Sequence, residues 1–275
     1  MTHREASERI AAAFEEGIAP WSRSSRLRIT CGLPVDAATM KPFRGVNTWL
    51  LELSALRKKF RNRFWATRGQ WEHLGGVVVG GEGSPIIDDG LVGKTEEDRI
   101  LHNAEQVEVR RGAPVAALDR FRVAPMTFPD YDLSQRLLDA TGARVVTTDR
   151  CYCLVCSDPS RDFIAMQPLD PLWGDADRWW SALFHELTHW VAEGFDRVRW
   201  RGDYNHCELV AEIGSTTLTN RCGIPKSGGI PADTGMVGGW IENIREDIGY
   251  LILACAVAEV ATSYVLDHAG REERA

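Results

Sequence analysis

The sequence predicts an α+β protein in two parts: a small helix-plus-sheet N-terminal domain, then a domain organised around one metal-binding helix. Three observations predict it. His185-Glu186-Leu187-Thr188-His189 lies inside a stretch of helical periodicity, the arrangement H-E-x-x-H that builds a zinc site with a base attached. Short β-branched runs punctuated by Gly and Pro lie between the helical segments of both halves. The charge is also split, because residues 1 to 80 carry 13 Lys/Arg against 7 Asp/Glu, a net +6, which leaves −13 for the remainder of a chain whose net charge is −7.

Along the chain, residues 5 to 18 have helical spacing, with Ile10, Ala13, Phe14 and Ile18 on one side and Pro20 as the stop. Asn47 to Phe60 reads as a second helix with Trp49, Leu50, Leu53 and Leu56 buried, and Thr67 to Leu74 as a short third. Gly75 to Ile87 reads as two strands joined in a hairpin by the turn Gly80-Gly81-Glu82-Gly83, which lacks the lysine of a phosphate-binding loop. Asp88 to Arg111 is expected to be a polar excursion, and Ala113 to Val123 one or two strands. Pro125 and Pro129 place the boundary between domains 1–125 and 126–275. Beyond it come a helix from Ser134 to Thr141, then strands at Ala143 to Thr147, Cys151 to Cys156 and Asp162 to Met166. The metal helix follows, with Asp175 or Asp177 as its cap, and the chain closes with a Gly/Pro-rich loop and one long helix from Gly239 to His268.

The chemistry centres on residues 185 to 189. At 3.6 residues per turn His185 and His189 share a face, while Trp180, Leu183, Phe184, Leu187 and Val191 lie opposite and bury the helix. Glu186 sits about 100° round from His185, off the ligand line, where a carboxylate can serve as base. Catalytic zinc takes a third protein group. The metzincin extension is absent, since Ala192 and Phe195 stand where it needs Gly and His. Downstream, Glu208 and Glu212 stand at i and i+4 on a predicted second helix, which resembles the glutamate-zincin arrangement. That resemblance makes Glu208 the ligand and Glu212 the partner that steadies a ligating histidine. His206, Cys207 and Asp196 remain alternatives for the third ligand, and Tyr204 or His206 for an oxyanion contact. The cofactor implied is Zn2+.

Arg57 to Arg68 holds six cations, three aromatics and no acid, a mixture suited to a single-stranded nucleic acid, where cations meet phosphates and ring faces stack on bases. Arg44, Arg57, Lys58, Lys59, Arg61, Arg63 and Trp65 are the candidate DNA contacts. No apolar run approaches membrane length, and Met1 to Pro20 lacks a signal-peptide core, so no membrane partner and a cytoplasmic location are expected. Seven cysteines without framework spacing are read as reduced thiols.

Ala19-Pro20-Trp21, Gly32-Leu33-Pro34, Pro42-Phe43-Arg44-Gly45-Val46-Asn47-Thr48-Trp49-Leu50-Leu51, and Phe64-Trp65-Ala66-Thr67 followed by Gln70 and Leu74-Gly75-Gly76 together resemble the N-terminal domain of ArdC-type antirestriction proteins. Asp162 to Met166 with Pro168, Leu183 to Trp190 and Glu208 to Ser215 are similar to the zincin-like part of the same family, so the likeness runs from about Ile18 to Leu266. It implies a single-stranded DNA-binding domain joined to a metallopeptidase-like domain, a protein typically carried on plasmids that shields incoming DNA from host restriction. A regulatory zinc protease, with the basic domain docking a protein substrate, is the competing reading.

Overall fold

The computed structural model describes residues 1–18, 33–87, 97–122, 129–155, 158–169, 176–195, 203–224 and 235–272. Several sequence features lie outside them: Ala19 to Gly32, the 124–128 part of the expected boundary, Cys156, Asp175 and Asp196. Helix α1 (His3–Glu15) begins at a capping box in which the Thr2 side chain accepts from Glu5 N and Glu5 accepts from Thr2 N. Helix α2 (Gly45–Lys58) ends at Lys59, which takes a left-handed conformation with φ 58°. Helix α3 (Arg68–His73) opens on a second capping box, Thr67 with Gln70.

Around these helices lie β1 (Val35–Asp36), β2 (Phe64–Ala66), β3 (Gly76–Val78), β4 (Ser84–Pro85), β5 (Ile100–Asn103) and β6 (Val107–Val109). The order β1-β2-β5-β4 makes one sheet, with β1 parallel to β2 and the other pairs antiparallel. Strands β3 and β6 pair separately. The expected hairpin across Gly80 to Gly83 is therefore corrected: β3 and β4 exist, but each takes its partner from 97–109, where an excursion without strands was expected. Sequence-near strands lost to sequence-distant ones because the Gly-rich turn leads β4 onto β5, while the Gln106 amide holds the turn by donating to Gly80 O at 2.9 Å. Residues Val115–Phe121 form a 3-10 turn instead of a strand.

The second half opens with α4 (Tyr131–Thr141), capped by Asp130 and closed by Gly142 at φ 68°, the left-handed position that glycine adopts without a Cβ penalty. Strands β7 (Val145–Thr147), β8 (Tyr152–Leu154) and β9 (Phe163–Met166) follow in the sheet order β7-β9-β8, with β7 parallel and β8 antiparallel to β9. Next come α5 (Ala176–Phe195) and α6 (Tyr204–Arg221). The single closing helix of the sequence reading is two, α7 (Gly235–Glu246) and α8 (Gly249–Glu272), and Asp247 accepts from Gly249 N at 2.7 Å to start the second. The expectation that no apolar run reaches membrane length is also corrected, since Gly249–Gly270 of α8 is long and apolar enough by length and composition. It serves here as a core helix, with Leu251, Ala254, Cys255, Ala258, Ala261 and Val265 buried.

Packing is not partitioned at residue 125. One core cluster joins Ile10 and Phe14 of α1 and Trp49, Leu50 and Leu53 of α2 to Leu209 and Ile213 of α6, Trp240 and Ile244 of α7 and Leu251 of α8. A second core holds α4, β9, α5 and the C-terminal ends of α6 and α8. Smaller clusters sit under the N-terminal sheets.

Candidate metal centre and nucleic-acid surface

Helix α5 is placed by its apolar stripe. Leu183, Phe184 and Leu187 are fully buried against β9, α4 and α8, which turns His185, Glu186 and His189 toward the other side. Two indoles fasten it to the sheet: Trp179 Nε1 donates to Gln167 O at 2.9 Å, and Trp190 Nε1 to Asp162 Oδ1 at 2.6 Å. Helix α6 lies close alongside. Ser215 Oγ donates to Ser181 O at 2.8 Å, and a Cβ at Gly214 would stand 2.4 Å from Thr188 Cγ2, so only glycine permits this approach.

The approach delivers Glu208. Its Oε2 lies 3.2 Å from His185 Nε2 and its Oε1 3.4 Å from His189 Nε2, while the two Nε2 atoms are 3.2 Å apart. The three groups can each present a ligand atom within 4.8 Å of the others. Two imidazoles and one carboxylate are a donor set suited to a divalent metal ion. Glu212 Oε1 stands 3.2 Å from His185 Nδ1; a proton held there leaves the Nε2 lone pair facing Glu208 and His189.

The electrostatics follow from this cluster. Burial opposes charge on His185, but hydrogen bonds to Glu208 and Glu212 outweigh it and push its pKa up to about 9. Burial likewise works to raise Glu208, yet its bonds to His185 and His189 hold it well below the usual carboxylate range. Among the described residues Glu186 has no such bond. Burial raises its pKa against the pull of the two histidine charges, with Glu208 and Glu193 adding to the rise.

Of the alternative ligands, His206 points elsewhere: its Nε2 lies 3.0 Å from Tyr250 O, and its ring packs edge-on against Tyr250. Cys207 is not in the ligand cluster. Tyr204 is exposed, and its phenol is raised first by the Glu208 charge, so it stands beside the cluster while His206 does not. Sequence reasoning missed Cys153 of β8. Burial pushes its thiol up, and the Glu186 charge adds to the shift, so this strand borders the same site. The described cysteines 151, 153, 207, 222 and 255 are free thiols.

The cations of the N-terminal half are dispersed. Arg44 pairs with Glu259 of α8 at 3.0 Å and Arg57 with Glu16 at 2.9 Å. Lys58 Nζ donates to Glu82 O, Gly83 O and Ser84 Oγ, tying α2 to the Gly-rich turn, and the burial this entails lowers its pKa. Trp65, expected to stack on bases, is corrected: it is 0 % exposed in the core with Leu51, Ile86 and Leu101, because β2 is covered on both faces. Lys59, Arg61 and Arg63 are exposed, as are Arg44 and Arg57 beside their acidic partners, and Arg63 is seated over the Phe64 ring.

Residues 2–123 match the family described as the N-terminal domain of anti-restriction factor ArdC, and residues 133–257 match the zincin-like metallopeptidase family. Two solved structures of the antirestriction ArdC protein from plasmid R388 superpose over 98 % of both chains. The metal-free form has a TM-score of 0.74 at 24 % identity, and the Mn(II)-bound form 0.73 at 26 %. No curated protein sequence matches.

Proposed function

We propose, from the premise that this chain belongs to the ArdC-type antirestriction family, that it binds single-stranded DNA and carries a zinc peptidase-type site, and so protects incoming DNA from restriction in the cytoplasm. The observation that carries the metal part is the meeting of His185, His189 and Glu208 from two helices beside Glu186. The donor chemistry fits a divalent ion, with zinc favoured by two imidazoles and a carboxylate; the R388 relative is recorded with Mn(II). When bound, such an ion supplies Lewis acidity to a carbonyl and to water.

The protein's own groups do the rest. His185, His189 and Glu208 hold the ion, and Glu212 fixes the His185 ring. Glu186, whose burial raises its pKa and so makes its carboxylate a stronger base, takes a proton from the attacking water and returns it to the leaving amine nitrogen. Tyr204, beside Glu208, is the group in reach to steady a developing oxyanion. The DNA part rests on the exposed cations Lys59, Arg61 and Arg63 together with Arg44 and Arg57, whose surface ion pairs a phosphate can displace, while Lys58 is tied to the Gly-rich turn. Metal analysis of the purified chain combined with a single-strand titration tests both parts. Transfer of unmodified plasmid into a restricting host, with and without this protein, tests protection. A chain that took up no divalent ion, or gave no protection, would remove the corresponding part.

A further inference from the structure

The exposed cations of the N-terminal half are not confined to the segment 57–68. Arg120 and Arg122 flank Phe121 on the 3-10 turn and come to the same place. Phe121 packs edge-on against Phe64 with ring centroids 5.3 Å apart; Arg63 Cζ lies 5.3 Å from the Phe64 centroid, and Arg120 Cζ 4.6 Å from that of Phe121. The two rings are 7 % and 2 % exposed, so neither offers a face to a base. What they offer is backing. Each seats a guanidinium over a ring, which orders a flat cationic group that can itself stack on a base or pair with phosphate. Beside them opens a cleft of about 350 Å3 lined by Asn62, Glu105, Val107, Glu108, Phe121 and Arg122, within the size range of ligand pockets. Glu105 ties the rim together, its Oε1 accepting from the backbone N of Arg61 and of Asn62.

We infer that this cleft is a nucleotide subsite that receives one base of a single strand, while Arg61, Arg63, Arg120 and Arg122 around it meet the base face and the flanking phosphates. The inference rests on the proposed single-strand reading and adds a base preference. The polar lining includes two carboxylates, Glu105 and Glu108, which accept hydrogen bonds from the exocyclic amines of cytosine or adenine and repel the carbonyl edge of thymine. Phosphate does not have to displace a strong partner. Arg122 pairs with Asp119 at 3.0 Å, but both side chains are largely exposed, where such a pair is worth little.

The test uses the full chain and short oligo-dC and oligo-dT, with affinity read by fluorescence anisotropy across a salt series. The wild type should prefer oligo-dC by about fivefold, within what one base-edge hydrogen bond confers. R120A/R122A should bind both strands roughly tenfold more weakly and flatten the slope of log affinity against log salt by about 1.4, the value for two lost phosphate contacts on a single strand. Its melting temperature should stay within a few degrees of that of the wild type, because both side chains lie on the surface and their ring and ion-pair contacts are exposed. Glu108→Gln should bring the dC and dT affinities together. Unchanged affinity and slope in R120A/R122A, with the wild type still binding single strands, would overturn the cleft and leave the single-strand reading standing. Equal affinity of the wild type for dC and dT would overturn the base preference. A wild type that bound neither strand would overturn both the inference and the reading beneath it.

Discussion

The metal cluster and the basic N-terminal surface are built in opposite ways. In the first, four side chains from two helices are largely buried, hydrogen-bonded to one another, and held by a helix contact so close that Gly214 cannot carry a Cβ. In the second, the cations come from separate turns and helices, and several are already engaged with acids or carbonyls elsewhere in the fold. Single substitutions therefore act differently in the two regions. A cluster of mutual partners fails as a unit, whereas a surface of dispersed charges loses affinity by increments.

The largest expected effect comes from separating the two regions. Cutting the chain after residue 125 would expose Ile10, Phe14, Trp49, Leu50 and Leu53, which now pack on α6, α7 and α8. At about 1.5–3 kcal/mol per buried side chain, the loss is about 10 kcal/mol, comparable to the whole stability of a domain. The isolated 1–125 fragment should therefore lack a cooperative thermal transition, and a sharp unfolding curve would show that the N-terminal half stands alone.

Next in size, His185→Ala should leave the chain without stoichiometric metal after dialysis against chelator. Elemental analysis that still found one ion per chain would dissolve the cluster as the binding site. Gly214→Ala tests the helix contact that delivers Glu208: overpacking there should lower stability by about 1–3 kcal/mol in denaturant titration and weaken metal uptake with it. A substitution tolerated in both respects would mean that α6 can shift without cost. Glu212→Ala removes only the group behind His185, so a competition titration should find metal affinity reduced by roughly 10- to 100-fold, without abolition.

The smallest effect sharpens the contrast. Glu186→Gln alters the centre of the metal site while leaving the exposed arginines untouched, so oligonucleotide affinity should stay within about twofold, or ~0.4 kcal/mol. A larger change would mean that the two regions communicate through the core they share.

Legibility followed the range of the interactions. Helix α5 and its ligand face could be read directly, because His185, Glu186 and His189 and the stripe from Trp180 to Val191 obey a 3.6-residue period that needs no knowledge of the rest of the chain. The capped helices and the three strands ahead of α5 were legible for the same reason. Spacing also marked Glu208 and Glu212 as a pair, but the neighbouring His206 and Cys207 were equally near in sequence. Only the packing of α6 on α5 turned Glu208 to the histidines and His206 to Tyr250, a choice made by the helix face that Gly214 and Ser215 present. The N-terminal half was less legible because its partners are distant in the chain. Arg57 takes Glu16 as its partner, Arg44 takes Glu259, and whether β3 pairs with β4 or β6 depends on residues about thirty positions further on. By itself, the amino-acid sequence determined which residues share a helix face and what metal chemistry they suit, because those are local periodicities. Tertiary structure alone decided which charges meet which acids, which aromatics are buried and that α1 and α2 share a core cluster with α6, α7 and α8, because burial and ion pairing depend on segments that meet only after the chain has folded.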